Sequence, residues 1–94
     1  MKKILVVFGG CSTEYEVSLQ SATAVMQAID RVQYEVLHLG ITKDGRAFYY
    51  EGAEERIAED TWQGKECFPA TVSMSRGIPL LWVEKDGALL KLPF

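Results

Sequence analysis

Metal-ligating and thiol side chains are scarce in this chain, which has one histidine, His38, and two cysteines, Cys11 and Cys67, widely separated and forming no C-x-x-C pair. A zinc site of the usual ligand spacing cannot be assembled from that set. Long apolar runs are missing too. The stretch Ile4 to Phe8 stops at Gly9 after five residues, short of the roughly 7–15 of a secretory h-region and the roughly 20 of a membrane span. The chain is therefore expected to be cytoplasmic, without a membrane partner and without a disulfide. Charge of one sign is lacking as well: the net charge is −3 and the basic residues are scattered, so nothing electrostatic favours a nucleic-acid partner. No internal repeat, low-complexity segment or linker-like run divides the sequence.

What is present is an ordinary globular composition, 48% apolar and 24% charged over 94 residues, enough for one small domain. A chain of this length buries about 60–65% of its unfolded surface. Its most informative stretch is VVFGGCSTEYEVSLQSA, residues 6 to 22. Ile4 to Phe8 is a continuous, mostly β-branched run, the pattern of a parallel strand covered on both faces. The pair Gly9-Gly10 then predicts a tight turn, and Cys11-Ser12-Thr13-Glu14 a short polar connection. Leu19, Ala22, Met26 and Ile29 recur at helical spacing with Val25 and Val32 beside them, while Gln20, Thr23, Gln27 and Asp30 face the other way. Two start signals compete for this helix: Thr13-x-x-Glu16 fits a capping box, and Ser18 fits a cap for a later start. The opening falls within residues 13 to 18 on either.

Tyr34 to Ile41 has the pattern of a second parallel strand, so residues 4 to 41 predict a βαβ unit with a right-handed crossover. Lys43-Asp44-Gly45-Arg46 predicts a turn into a short antiparallel strand, Ala47 to Tyr50. Ala53 to Asp60 has helix-forming composition, and Trp62 to Glu66 is expected to be irregular. Ala70 to Ser73, Pro79 to Glu84 and Ala88 to Leu92 predict short strands, the last two joined as a hairpin by Asp86-Gly87. The sequence stops on the apolar stretch Leu89 to Phe94. A sheet that ends there leaves an unpaired edge; the alternative is that the chain simply ends on a packed hairpin.

The segment Phe8 to Ala22 resembles, without a gap, the N-terminal signature of the D-alanine–D-alanine ligase family, F-G-G-x-S-x-E-H/Y-E-V-S-L-x-S-A. Residues 39 to 45, LGITKDG, resemble the family's next strand and turn. Tyr15, where histidine is commoner, and the run from Ser12 to Ala22 look most like the D-alanine–D-serine branch. The likeness is strong over residues 4 to 46 and fades to length and layout from 47 to 94. It implies an α/β fold, a Rossmann-like pre-ATP-grasp N-terminal domain spanning residues 1–94, truncated, with an added antiparallel hairpin. The ATP-grasp domains, which hold ATP and Mg2+ in the intact family, are expected outside this chain, and no cofactor is expected within it. The implied partners are D-alanine, those remaining domains, and a second copy, since intact members generally work as homodimers.

The family's reaction implies roles for three residues. The carboxylate of one D-alanine is phosphorylated from ATP, and the amine of a second D-amino acid attacks the acyl phosphate to make a dipeptide for cell-wall precursors. The first D-alanine must present its carboxylate while its ammonium is held elsewhere, and a carboxylate is the natural anchor for an ammonium. By the motif, Glu14 is that catalytic-site anchor and Val17 lines the small pocket for the methyl group. Ser12 supports the loop backbone or orients Glu14. On residue chemistry alone Glu14 is equally a first-turn glutamate complementing the helix dipole, Glu16 a capping-box partner and Val17 a core residue. Tyr15 and Ser18 receive no catalytic duty, and His38 is expected to be structural. The aromatic residues Tyr49, Tyr50, Trp62, Phe68 and Trp82 are expected in the core or at a domain interface.

Gly9-Gly10 does not predict a phosphate loop. There is no G-x-G-x-x-G and no G-K-[ST], and Glu14 would set a negative charge beside the phosphate. Two rival readings stay open, a stand-alone module binding a small ammonium-bearing ligand and an assembly element pairing through its sheet edge. The choice between D-alanine and D-serine as second substrate lies outside these residues.

Overall fold

The computed structural model describes residues 2–11, 13–73, 77 and 79–94. Among these, six strands and two helices follow one another as β1 (Lys2–Gly9), α1 (Tyr15–Ala28), β2 (Tyr34–Ile41), β3 (Ala47–Tyr50), α2 (Glu55–Ala58), β4 (Cys67–Ser73), β5 (Leu80–Lys85) and β6 (Ala88–Pro93). The strands form one sheet in chain order, β1-β2-β3-β4-β5-β6. β1 and β2 run parallel, with Lys2 opposite Tyr34 and Gly9 opposite Ile41. All later neighbours are antiparallel. This is the expected βαβ unit extended by an antiparallel meander.

Period-two alternation sends the strand side chains to two separate cores. Val6 and Phe8 of β1 face α1 and pack with Tyr15, Leu19, Ala22, Met26, Tyr50, Ile57 and Trp62. On the opposite face Leu39, Leu81 and Val83 are buried, with Leu5, Ile41, Tyr49, Phe68, Leu92 and Phe94 packed around them. The apolar ending thus contributes to this second core through Leu92 and Phe94, while Leu89 stays 65% exposed.

The helix stripe is Tyr15, Leu19, Ala22 and Met26, one residue at each three- or four-residue step. Val25 and Val32 lie off it, and both are exposed. Neither expected start signal forms a cap. The N-cap is Glu14, with no side-chain hydrogen bond to the helix amides, so the Thr13–Glu16 box is not made. Ser18 lies inside the helix, where its Oγ accepts the Gly9 N–H at 3.1 Å. A serine hydroxyl one turn into a helix points back towards the preceding turn, and here that is where the strand arrives.

The Asp86-Gly87 turn takes positive φ at both central positions, 52° and 77°, the geometry that matches the twist of a two-residue hairpin. β5 and β6 accordingly pair without slippage from Lys85–Ala88 to Leu80–Pro93. β4 begins three residues before the expected Ala70, at Cys67. Its first residues alternate polar, aromatic and proline and carry no clean period, yet they complete the ladder with β3 through Tyr50–Cys67 and Phe48–Pro69. Both cysteines are free thiols.

A glycine at position 40 has a packing reason. A Cβ there would stand 2.5 Å from the Trp62 ring and 2.8 Å from Phe8. The indole therefore lies against bare β2 backbone, edge-on to Phe8 with ring centroids 4.9 Å apart and to Tyr50 at 6.2 Å.

Candidate functional site

The carboxyl ends of β1 and β2 meet the start of α1, the position at which open α/β sheets form their ligand crevice. Gly9 has φ 87°, and a side chain there would run into the Ile41 carbonyl, so glycine is required for the turn to lie against β2. The Gly10 N–H donates to that same Ile41 carbonyl at 2.9 Å, and the Gly9 N–H to Ser18 Oγ. Both glycine amides are thereby committed within the fold, which opposes their use as an anion cradle.

Glu14 follows as an exposed residue at φ −95°, ψ 18°. This is the sparsely allowed bridge region in which many active-site residues sit. Its carbonyl accepts the Ser18 N–H at 2.9 Å and so closes the first turn of α1. Val17, three residues on and hence on the same helix face, is 63% exposed and takes no part in either core. Glu14 and Val17 are thus brought together at the surface, while Ser12 lies outside the described residues. Glu16 is exposed and caps nothing.

Beside Glu14 the structure assembles a group of residues that the sequence did not point to. Tyr15 is buried, and its hydroxyl donates to Asp60 Oδ1 at 2.7 Å. The Tyr15 hydroxyl oxygen in turn accepts from Trp62 Nε1 at 3.0 Å and from Gln63 Nε2 at a longer 3.5 Å. Lys43 Nζ stands 5.1 Å from the Tyr15 ring centroid, a cation–π distance. Burial first, and then the hydrogen bond to Asp60, push the Tyr15 phenol above its ordinary value. Asp60 sits at φ 58°, left-handed for a non-glycine residue, which marks a segment held in place by its surroundings. Tyr15, Thr42, Lys43, Asp44, Asp60 and Gln63 line a surface cavity of about 320 Å³. The sequence signal for this cluster was Tyr15 alone; no spacing links it to residues 60 to 63.

His38, expected to be structural, places Nε2 2.6 Å from Glu54 Oε2, which accepts its proton as an anionic carboxylate, and Arg31 Nη2 donates to that oxygen at 2.7 Å. Arg31 also donates to the Met26 carbonyl at the end of α1, so the three side chains bind the helix end to the start of α2. Burial raises the Glu54 pKa, but the hydrogen bonds from Arg31 and His38 outweigh it and hold the carboxyl below its ordinary value. Of the aromatic residues, Tyr50 and Trp62 are core. Trp82 is half-buried under Lys91, whose Nζ lies 5.3 Å from its ring centroid. Among the described residues no cluster of three or more His, Cys, Asp or Glu stands ready to hold a metal ion, and no helix is long and apolar enough to cross a membrane.

A family profile described as the D-ala D-ala ligase N-terminus matches residues 3–83. The chain belongs to the D-alanine–D-alanine ligase family. Among its relatives, a D-alanine–D-alanine ligase of Clostridium novyi (strain NT) is 46% identical over 67 residues, covering 71% of this chain and 20% of that protein. The vancomycin C-type resistance protein VanC1 of Enterococcus gallinarum is 47% identical over 75 residues, 78% of this chain and 22% of that protein. The crystal structure of the VanG D-Ala:D-Ser ligase from Enterococcus faecalis superposes with a TM-score of 0.84 at 40% identity, over 97% of this chain and 26% of that one. The chain therefore spans about a fifth to a quarter of the length of the relatives it matches. The fold, a mixed α/β sheet with two helices, is that of the N-terminal part of these ligases.

Proposed function

We propose that this chain is the N-terminal, pre-ATP-grasp domain of a cytoplasmic, ATP-dependent ligase that joins D-alanine to D-alanine or D-serine for peptidoglycan precursors. Its task is to supply Glu14 to the subsite of the first D-alanine. The observation that carries this reading is the placement of the signature, with Glu14 exposed at the crevice end of β1, at the start of α1, on backbone pinned by Gly9, Gly10 and Ser18.

An exposed carboxylate holds an ammonium weakly, because water screens the pair. In the intact protein the remaining domains would close over the crevice, exclude water and strengthen the same contact. Glu14 would then accept charge-assisted hydrogen bonds from the substrate ammonium, and Val17 would cover the methyl group. Selectivity from that apolar contact is modest, about 1–3 kcal/mol per methylene. Ser12 would support the loop between them. ATP and Mg2+ would be held by the remaining domains and would supply the phosphoryl group that activates the carboxylate, and the intact protein would act as a homodimer. This chain by itself would be inert.

In the full-length ligase, Glu14→Gln should raise KM for the first D-alanine strongly while leaving KM for ATP unchanged. Unchanged D-alanine kinetics would remove Glu14 from the site. D-alanine-dependent release of ADP by the 94-residue protein alone would refute its inertness. Tight binding of D-alanine to it, seen by calorimetry without ATP, would instead favour a stand-alone binding module.

A further inference from the structure

We propose that Tyr15 is a positioning residue for Glu14, with its buried phenol pinning the uncapped start of α1 to the segment from Asp60 to Gln63. The inference rests on the role given to Glu14 above. A helix start ordinarily gains definition from a side chain that caps its free amides. Here the N-cap is Glu14 itself, and its side chain makes no capping hydrogen bond to the helix amides. The first turn must therefore be located by its neighbours.

Two contacts of the first turn do this. Ser18 Oγ takes the Gly9 N–H and ties the turn to β1. Tyr15, the next residue along the chain, reaches Asp60 Oδ1 at 2.7 Å and receives the Trp62 indole N–H at 3.0 Å. Its ring also lies close to Gly9, where a Cβ would stand 3.1 Å from Tyr15 Cε1, and beneath the Lys43 ammonium. Asp60 and Trp62 lie 45 and 47 residues away in sequence, so these are tertiary constraints that the helix could not supply by itself. Trp62 is fully buried, which makes it a fixed donor. A hydrogen-bonded hub with so many partners sets one orientation for the peptide that carries Glu14.

The test uses the full-length ligase carrying residues 1–94, with KM for the two amino-acid sites and for ATP measured separately. Tyr15→Phe keeps the ring and removes the hydroxyl. The expected result is a rise of about tenfold in KM for the first D-alanine, below the hundredfold that a full ångström of misplacement can cost. KM for ATP should hold, and kcat should change by less than about threefold. Asp60→Ala should do the same, and the double variant should be no worse than either single one, because both break one link. General loosening of the domain would move all three constants together and would overturn the proposal. If Glu14→Gln impairs the first site and a stably folded Tyr15→Phe does not, the positioning role is refuted while the role of Glu14 stands. If Glu14→Gln has no effect, both fall. Amide exchange on the 94-residue chain gives an independent readout. Tyr15→Phe should speed exchange of the Ser18 amide, whose acceptor is the Glu14 carbonyl, and leave the β5–β6 amides as they were, and equal protection of Ser18 would count against the proposal.

Discussion

Removing the Trp62 indole should cost this domain about a fifth or more of its stability. Trp62 is 1% exposed, packs edge-on against Phe8 and Tyr50, and donates its N–H to Tyr15. Trp62→Ala loses the transfer free energy of the ring and leaves a cavity that the sheet backbone at Gly40 cannot fill, together about 3–5 kcal/mol. A domain of this size holds roughly 5–14 kcal/mol in all. Each kcal/mol moves Tm by about 4–8 °C, so the drop is roughly 12–40 °C. The same contact can be loaded from the other side. Gly40→Ala drives a methyl into the indole and should cost about 1–3 kcal/mol by overpacking. In a Trp62→Leu background the indole's share of the obstruction is gone and only the Phe8 ring still crowds the methyl, so the cost of Gly40→Ala should fall by at least about 1 kcal/mol. Urea unfolding followed by far-UV circular dichroism measures each variant without relying on the deleted fluorophore. A Trp62→Ala cost under about 1 kcal/mol, or additivity of Gly40→Ala and Trp62→Leu within about 0.5 kcal/mol, would refute the packing described.

The carboxyl of Glu54 titrates below its ordinary value because Arg31 and His38 hold its anion, against the opposing effect of burial. A depressed acid contributes stability that is fully present above its unfolded pKa and is lost as the pH falls through the folded one. Tm should therefore fall between about pH 5 and about pH 3 more steeply in the parent than in Glu54→Gln; identical slopes would show that the Arg31–Glu54–His38 contact is not maintained. The two thiols should react at very different rates. Cys11 is exposed, whereas Cys67 is half-buried, has its thiol pKa raised by burial, and donates to the Trp62 carbonyl. A thiol reagent should give one fast and one slow phase, and Cys11→Ser should abolish the fast one. Two equal phases would mean that the loop from Trp62 to Cys67 opens freely.

Local signals located most of the strands, and the reason is visible in particular residues. Ile4 to Phe8 is an apolar run and Tyr34 to Ile41 alternates and ends apolar, and the two pair in parallel, while Asp86-Gly87 supplies the two positive φ values a tight hairpin needs. Helix geometry was less legible. Ser18 has the chemistry of a cap, but its hydroxyl serves Gly9 instead, a partner nine residues away that belongs to another element. The second core was not legible either, since Leu81, Val83, Leu92 and Phe94 gather there only once the meander has formed. Each of these outcomes depends on a contact between elements, which periodicity within one element does not record.

The candidate site divides along the same line. Glu14 and Val17 were singled out by the ordered motif from Phe8 to Ala22, and the fold sets the first at the N-cap of α1 and the second in its first turn. What holds them there, the hydroxyl of Tyr15 among Asp60, Trp62 and Gln63, joins a motif residue to a stretch beyond the signature but within the matched family profile. A site built this way separates two demands on the chain. The residues that would meet substrate stay exposed at the helix start, while the rigidity they need comes from a buried hub behind them. Variation in residues 60 to 63 should therefore alter how firmly Glu14 is presented before it alters what Glu14 can bind. Substitutions at Asp60 or Gln63 are accordingly expected to change the affinity for the first amino acid without changing its identity.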